Sequence, residues 1–257
     1  MRIIRTVAEM RAARPDSASV GLVPTMGALH AGHVSLFETA RDENDVVVAS
    51  LFVNRSQFTP REDFAQYPRD EERDARIAEE AGVDVLFAPD EDELYPSGFQ
   101  TWVDVEELSR PLEGEFRPGH FRGVATVCLK LFSIVRPERA YFGRKDAQQV
   151  AVVKQLVRDL ALPIEIRVVD TIREADGLAV SSRNVQLSPA ERTQAAAIPR
   201  ALETRDPDRA RAVLAGAGLE PDYVEIADLD GPTLAVAVRV GSTRLIDNVP
   251  LEGAPQP

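Results

Sequence analysis

Two histidines three residues apart are the clearest chemical signal in the sequence. His30 and His33 follow the apolar stretch that ends at Pro24, with Gly27 and Gly32 beside them. Glycine lets a backbone turn sharply and approach a ligand closely, and the free N–H groups at a helix start favour phosphate. Histidine there can stabilise charge as a phosphate–phosphate bond breaks. The spacing therefore favours an anion site over two surface histidines or a shared metal ion.

Three further polar segments could complete a nucleotide site. Asn54–Gln57 follows a very apolar run and offers amides that suit hydroxyl and carboxylate groups. In Gly143–Gln149, Lys145 can pair with phosphate and Asp146 can accept from ribose hydroxyls. Val180–Asn184 brings two hydroxyls and an arginine that can grip a polyphosphate. Ordinary polar turns and a helix cap at Asp146 are the alternatives.

Alternating apolar runs and helical patterns must position these segments. Helices are predicted near residues 33–43, 69–81, 123–136 and 145–160. Strand–helix alternation predicts a parallel sheet with right-handed crossovers, in which ligands bind at the carboxyl ends of the strands. The predicted fold class is therefore α/β, with a Rossmann-like parallel sheet flanked by helices. The predicted strands are Ser19–Val23, Val46–Val53, Asp84–Ala88, Arg139–Phe142 and Ile164–Val169.

The pattern changes after residue 171. Ser188 and Glu191 form a capping-box pattern with Pro189 between them, so a helix is expected from there to about Glu203. A second helix is expected near 207–216, and three β-rich runs separated by short turns predict an antiparallel sheet. We therefore predict a Rossmann-like nucleotide- and substrate-binding domain over 1–171 and a small α+β lid domain over 172–257. The predicted strands here are Asp222–Asp228, Leu234–Val240 and Thr243–Asp247, and the tail Glu252–Pro257 is expected to be disordered.

Composition narrows the function class. The formal net charge of -12 disfavours non-specific binding to nucleic acid or an anionic membrane. Cys128 is the single cysteine, so no internal disulfide can form, and its apolar surroundings predict a core position and no thioester chemistry. The N-terminus lacks the apolar stretch of a signal peptide, and no run is long enough for a membrane span. A cytoplasmic enzyme is expected.

The motifs together resemble the pantothenate synthetase (pantoate–β-alanine ligase) family of the HIGH nucleotidyltransferase superfamily. The similarity covers most of the chain in the right order. Arg55, Arg144 and Val180 stand where the family usually has Pro, an acid and Met. The matching blocks are PTMGALHAGH (24–33), VNRSQF (53–58), EDFAQYPRD (62–70), PLEG (111–114), RPGHFRGV (117–124), FGRKDAQQ (142–149), READGLAVSSRN (173–184) and TRLIDN (243–248).

The resemblance implies a reaction and its partners. The family joins pantoate to β-alanine with ATP and Mg²⁺, through a pantoyl-adenylate that releases pyrophosphate and then AMP. A homodimer is implied, and no nucleic acid or membrane partner. The stretch Arg55–Asp70 would close over the intermediate and shield it from water.

The resemblance also assigns residues, none of them as a metal ligand. Catalytic roles fall to His30, His33, Lys145, Ser181, Ser182 and Arg183. The substrate would contact Pro24, Thr25, Asn54, Gln57, His120 and Gln149. ATP would contact Met26, Gly27, Ala28, Leu29, His30, Ala31, Gly32, His33, Gly143, Arg144, Lys145, Asp146, Ile172, Val180, Ser181, Ser182 and Arg183.

Two other function classes remain open at this point. An adenylyltransferase would keep the fold but leave AMP on a phosphate ester, whereas Gln57 and Gln149 favour a hydroxy acid. A nucleotide-binding regulatory module, or a relative that binds tRNA, is the other class. The charge of -12 and the lack of a basic appendage weigh against tRNA.

Overall fold

The computed structural model describes residues 1–58 and 64–251. The chain divides into two compact units. The first unit comprises residues 1–29, 33–142 and 151–169, and the second comprises 30–32, 143–150 and 170–257. The domain boundary predicted after residue 171 stays a prediction. The expected disorder of Glu252–Pro257, and residues 59–63 of the predicted closing stretch, lie outside the described residues.

A six-stranded sheet forms the centre of the first unit, in the order β1-β4-β3-β2-β5-β6. The pairs β1–β4, β4–β3, β3–β2 and β2–β5 are parallel. The predicted α/β class is therefore confirmed. The strand order reverses direction between β2 and β5, which is the kind of point where such sheets bind ligands. The strands are β1 (Arg2–Ile4), β2 (Val20–Thr25), β3 (Val46–Leu51), β4 (Val85–Phe87), β5 (Arg139–Gly143) and β6 (Glu165–Val169).

Helices flank this sheet and bury its faces. Val23, Phe37, Ala49, Leu86 and Tyr141 belong to one buried cluster, which explains why β2 and β3 read as near-continuous apolar runs. Among residues 1–58 and 64–251, the helices are all too short or too polar to cross a membrane. The helices that begin before residue 160 are α1 (Val7–Ala13), α2 (Ala31–Glu43), α3 (Glu71–Glu80), α4 (Glu91–Leu94), α5 (Glu113–Phe116), α6 (His120–Val135) and α7 (Ala147–Asp159).

The first predicted strand was expected to stop before Pro24, and that boundary is wrong. β2 continues through Pro24 to Thr25, in register with Ser50 and Leu51 of β3. Proline lacks an N–H group and usually ends a ladder. Here the ladder with β5 reaches only Leu22, so the missing N–H removes no bond on that side.

Short elements escaped the sequence prediction. β1 has only three residues, and its central Ile3 is exposed, so no alternating pattern marks it. α1 begins with a capping box between Thr6 and Glu9, a signal that the sequence does contain. α6 begins at His120, earlier than predicted, directly after Gly119 in a left-handed conformation.

The second unit carries the predicted antiparallel sheet, ordered β7-β8-β9. Its core includes Leu178, Ile198, Leu214, Leu234 and Val238. The predicted capping box is confirmed, because the Ser188 hydroxyl accepts from the Glu191 backbone and the Glu191 side chain accepts from the Ser188 backbone. The strands are β7 (Pro221–Asp228), β8 (Pro232–Val240) and β9 (Thr243–Pro250), and β9 is longer than predicted.

The helix predicted to run unbroken from Ser188 to Glu203 is wrong. Two helices, α8 (Pro189–Ala195) and α9 (Ala197–Glu203), meet at Ala196, and α10 (Pro207–Gly216) follows as predicted. Pro199 explains the break. Its ring would clash with the carbonyl four residues earlier, at Ala195, in a continuous helix.

Candidate active site

The loop Met26–Leu29 follows β2 and has an unusual backbone. Gly27 and Ala28 both lie in the left-handed region, with φ of 82° and 52°. The Gly27 N–H donates to the Thr25 hydroxyl at 3.2 Å. A Cβ on Gly27 would lie 2.8 Å from a carboxylate oxygen of Asp74, so only glycine fits.

Asp74 of α3 holds this loop. One carboxylate oxygen accepts from the Ala28 N–H at 2.8 Å and the other from the Leu29 N–H at 2.9 Å. The neighbouring Arg73 donates to the Leu29 carbonyl at 3.0 Å and to Asp74 at 3.3 Å. Sequence reasoning missed Asp74. The available signal was its place with Ala78 on the buried stripe of α3, where an apolar residue is expected.

The two histidines sit at the start of α2, whose first turn contains no acidic residue. Acidic side chains would compete with phosphate at this positive end of the helix dipole. His30 falls in the second unit, where its Nδ1 accepts from the Gly32 N–H at 3.1 Å. In the neutral ring this bond places the proton on Nε2. His33 is half-buried in the first unit.

Gln57 lies in a 3₁₀ turn after β3, and Asn54 orients it. The buried Asn54 amide donates to the Gln57 side-chain oxygen at 3.0 Å and to the Gly123 carbonyl at 3.1 Å. Its oxygen accepts from the Ser56 hydroxyl at 2.8 Å. The bond from Asn54 uses only the side-chain oxygen of Gln57, so the Gln57 NH₂ group can donate to a ligand.

α6 holds the backbone of the same turn. His120 Nε2 lies 3.1 Å from the Arg117 guanidinium, which can only donate, so the ring proton is on Nδ1. Nδ1 therefore donates to the Gln57 carbonyl at 2.8 Å. A Cβ on Gly123 would lie 2.5 Å from the Ser56 carbonyl oxygen, so this glycine allows the helix to touch the turn. Thus Asn54 and His120, predicted to contact substrate, both contact Gln57.

Met26 lines a cavity of about 260 Å³ in the first unit. Phe52 and Val53, at the end of β3, lie on the same wall. The lining also contains Asp74 and further carboxylates, which together outnumber Arg69, the one cation among the described lining residues, and would repel a triphosphate. This cavity therefore suits a neutral or cationic group better than phosphate. Its other acidic lining residues are Asp70, Glu71, Asp90 and Glu91.

In the second unit, a 3₁₀ turn over Arg144–Asp146 carries the predicted phosphate lysine. The Lys145 side chain is 18% exposed, and its Nζ lies 3.9 Å from an Asp146 oxygen. Apart from its chain neighbours, no described heavy atom lies within 4 Å of a Cβ built on Gly143, which leaves room for a ligand. Arg144 pairs with Asp170 at 2.9 Å, so it points to a local partner.

The segment Val180–Arg183 is folded against Ile172. The Val180 N–H donates to the Ile172 carbonyl at 2.9 Å, and Arg173 and Ala179 form an antiparallel bridge. Ile172 is 37% exposed, so it offers an apolar surface beside Val180 that suits a purine ring. The Ser181 hydroxyl accepts from the Arg183 N–H at 3.2 Å and caps the 3₁₀ turn that contains Ser182.

One cleft of the second unit brings several predicted residues together. Lys145, Ser181 and Arg183 line it. Two cations and a hydroxyl are group types that bind a polyphosphate, but the space enclosed by this cleft is only about 10 Å³, so a polyphosphate would have to lie along its open side. Arg244, which sequence reasoning left without a role, lies in the same lining and pairs with Asp222 at 2.6 Å.

Gln149 lies half-buried in the first turns of α7.

Cys128 does not belong to this chemistry. It is buried in α6, as predicted, and burial raises the pKa of its thiol to about 12. A thiol with so high a pKa is protonated near neutral pH, and only the thiolate is a good nucleophile. Covalent catalysis through this residue is therefore disfavoured.

Comparison with known proteins identifies the family of the chain. The family model described as pantoate-beta-alanine ligase matches residues 2–250. Pantothenate synthetase of Moorella thermoacetica is 51% identical over 280 residues, covering 98% of this chain and 99% of the relative. The enzyme of the same name from Herpetosiphon aurantiacus is 49% identical over 274 residues, covering 97% and 99%.

Solved structures agree with this relationship. The crystal structure of pantothenate synthetase from Thermus thermophilus superposes with a TM-score of 0.93 at 49% identity, covering 97% of this chain and 99% of that one. The pantoate-beta-alanine ligase of Francisella tularensis, complexed with beta-gamma ATP and beta-alanine, gives 0.88 at 36% identity, covering 97% of each. Both matches extend over the sheet, the loops and the second unit described above. The chain is therefore an enzyme of the pantoate-beta-alanine ligase family.

Proposed function

We propose that this chain condenses pantoate with β-alanine at the expense of ATP, giving pantothenate, AMP and pyrophosphate. The observation that carries the proposal is the family match over residues 2–250. The cleft lined by Lys145, Ser181 and Arg183 supports it, because a polyphosphate needs such groups. The complex of the Francisella tularensis relative with beta-gamma ATP and beta-alanine supports two of the three substrates.

In the first step, a pantoate carboxylate oxygen attacks the α-phosphorus of ATP. A new oxygen–phosphorus bond forms, the bond to the β-phosphate oxygen breaks, and pyrophosphate leaves. His30, His33, Lys145 and Arg183 stabilise the charge that develops on the phosphates, and Ser181 and Ser182 donate hydrogen bonds. Their work is electrostatic, since phosphoryl-type transfer mostly needs positioning and charge neutralisation.

Pantoate is held by amides in this proposal. Gln57 donates its NH₂ group to pantoate oxygens, and Asn54 and His120 support Gln57 from two sides. Gln149 provides the second amide. Since Asn54 and His120 already bond within the protein, their part in pantoate binding is to fix Gln57.

In the second step, the neutral β-alanine amine attacks the acyl carbon of the pantoyl-adenylate. The carbon–nitrogen bond forms, the bond to the AMP oxygen breaks, and the amine loses a proton. Water must be kept away, because the mixed anhydride hydrolyses readily. We assign this shielding to the stretch Arg55–Asp70, in which Arg55 and Arg69 lie over the Phe64 ring at 5.7 and 4.7 Å.

Magnesium is proposed to enter with ATP. Among residues 1–58 and 64–251, no group of three His, Cys, Asp or Glu side chains is arranged to hold a metal ion. Mg²⁺ is commonly bound through substrate phosphates and water, so the residues present fit its arrival with the nucleotide. It would neutralise phosphate charge there. We further propose that the protein is a homodimer and is located in the cytoplasm, as the resemblance implies. Sedimentation of the purified protein can test the homodimer.

The experiment is ATP–pyrophosphate exchange with pantoate, followed by addition of β-alanine. Exchange should require pantoate among a panel of acids, and β-alanine should then release AMP and pantothenate. AMP formation that depends on neither pantoate nor β-alanine would exclude the ligase. Exchange with a phosphate ester instead would identify an adenylyltransferase, and ATP binding without exchange would identify a regulatory module.

The assigned residues can be tested in the same assay. His33→Ala and Lys145→Ala should each lower the exchange rate about 10²–10³-fold, as for loss of one preorganised stabilising group. Lys154→Ala, on α7, removes the same charge without touching the cleft and should exchange at the normal rate. Near-normal turnover of the first two variants would reject their roles.

A further inference from the structure

Asn248 of β9 makes a contact that the reaction scheme leaves unused. Its side chain is buried, at 4% exposure, and its Nδ2 donates to the Arg144 carbonyl at 3.0 Å and to the Lys145 carbonyl at 2.8 Å. Both carbonyls belong to the 3₁₀ turn that presents Lys145 to the cleft. The amide therefore uses both of its N–H bonds to fix this turn.

The backbone of Asn248 is held in place by the neighbouring residue, Asp247. The Asn248 N–H donates to Asp247 at 2.8 Å, and the buried Asp247 carboxylate accepts from both ends of the Arg173 guanidinium, at 2.7 and 3.1 Å. Arg173 also donates to the Gly177 carbonyl at 3.0 Å, inside the loop that leads to Val180–Arg183. Asn248 thus contacts the turn that carries Lys145, and Asp247 contacts, through Arg173, the loop that leads to Arg183.

The buried side-chain amide of Asn248 costs folding free energy, which indicates that it is kept for a purpose other than stability. Among the described residues, the Asn248 Oδ1 atom has no hydrogen-bond partner. A buried acceptor without a partner loses free energy, and an apolar side chain would avoid the loss. A flipped amide would face two carbonyl oxygens with its own oxygen, so the orientation with Nδ2 toward the turn is the favourable one.

We propose that Asn248 is a positioning residue that fixes the backbone of Lys145 and thereby the place of its ammonium group. This inference rests on the proposed function of Lys145. A lysine on a loosely held turn would spend part of its time away from the phosphates, and small misplacements of a catalytic group lower the rate strongly. The C-terminal sheet is then part of the phosphate site.

The test is a double-mutant cycle between Asn248 and Lys145, read by ATP–pyrophosphate exchange and by calorimetry of ATP. Asn248→Ala should lower kcat of exchange about 10- to 100-fold and leave KM for pantoate unchanged. Asn248→Asp should lower kcat of exchange further than Asn248→Ala does, because a carboxylate would repel the carbonyl oxygens of Arg144 and Lys145. Asn248→Ala combined with Lys145→Ala should be no worse than Lys145→Ala alone, since one residue acts through the other.

Val249→Ala is the matched control. Val249 is the next residue on β9 and packs against the core of the second unit, so its truncation weakens the same strand without touching the turn. It should lower the melting temperature and keep kcat normal wherever the protein is folded. Equal rate loss in Val249→Ala and Asn248→Ala at equal stability, or additive losses in the double mutant, would overturn the proposal.

The outcomes separate this proposal from the proposed function. If the wild type shows no pantoate-dependent exchange, the proposed function fails, and the cycle is then read from ATP affinity alone. A loss of ATP affinity in Asn248→Ala that disappears in the Lys145→Ala background would still support positioning. Where the wild type shows no exchange, equal ATP affinity of wild type and Asn248→Ala would reject the proposal; where it does, a normal exchange rate in Asn248→Ala would reject it.

Discussion

The loop Met26–Leu29 of the first unit and the turn Arg144–Asp146 of the second are each fixed by one buried polar side chain, but the bonds have opposite polarity. Asp74 accepts from two backbone N–H groups. Asn248 donates to two backbone carbonyls. Each side chain matches the backbone groups that its segment turns toward the protein.

The difference teaches how such segments are read from sequence. The groups expected to face the ligand lie in short local motifs, whereas the groups that hold the motifs come from far along the chain. Asp74 is 45 residues from Leu29, and Asn248 is 103 residues from Lys145. If this comparison is right, removing the contacts of Asp74 or of Asn248 should change the binding of only the substrate that the corresponding segment is proposed to bind.

The largest expected effect is that of Asp74→Asn. The new NH₂ group would oppose a backbone N–H, and the charge-assisted bonds would be lost, so unfolding free energy should fall by about 3 kcal/mol. KM for ATP should rise, while KM for pantoate should change little. Urea unfolding and steady-state kinetics measure these.

Asp70→Asn is its matched control. It removes the same charge four residues earlier, at the start of α3, where Asp70 caps the helix by accepting from the Arg73 N–H. Asparagine caps as well as aspartate, so stability and KM for ATP should stay close to wild type. Equal behaviour of the two variants would break the comparison.

A smaller effect is expected from Gly123→Ala, which tests the Gln57 turn of the first unit. The added methyl group would overlap the Ser56 carbonyl, and such overpacking costs about 2 kcal/mol. Because the turn must shift, KM for pantoate should rise more than KM for ATP. Gly216→Ala, at an open position of α10 in the second unit, should leave both constants unchanged. An unaltered pantoate KM in Gly123→Ala would show that Gln57 does not bind pantoate.

The smallest effect is expected from Ala28→Gly. Glycine relieves the left-handed strain at this position, worth about 1 kcal/mol, but its more flexible unfolded chain offsets most of that gain. The bond to Asp74 is made by the backbone and survives the change, so KM for ATP should not move. A loss of stability above about 1 kcal/mol in urea unfolding would mean that the Ala28 methyl group, and not Asp74, holds the loop.

The sequence predicted the fold class and the segments of the site, because both are written in local patterns. The structure confirms the parallel sheet predicted from strand–helix alternation and the capping box at Ser188. The helix break at Pro199 and the capping box at Thr6 also correspond to local patterns, although the sequence prediction lacks both. Gly123 and Asn248 could not be found in this way, since their roles depend on long-range contacts that no local pattern records, and the only local sign of Asp74 was its place on the buried stripe of α3.

The order of β9 after the Lys145 turn along the chain has a consequence for biosynthesis. The ribosome makes the Lys145 turn 103 residues before it makes Asn248. A nascent chain that ends between these two residues can therefore contain every strand of the six-stranded sheet while the Lys145 turn is still unsupported. If Asn248 positions Lys145, adenylation would begin only after the segment that contains β9 has been made and folded.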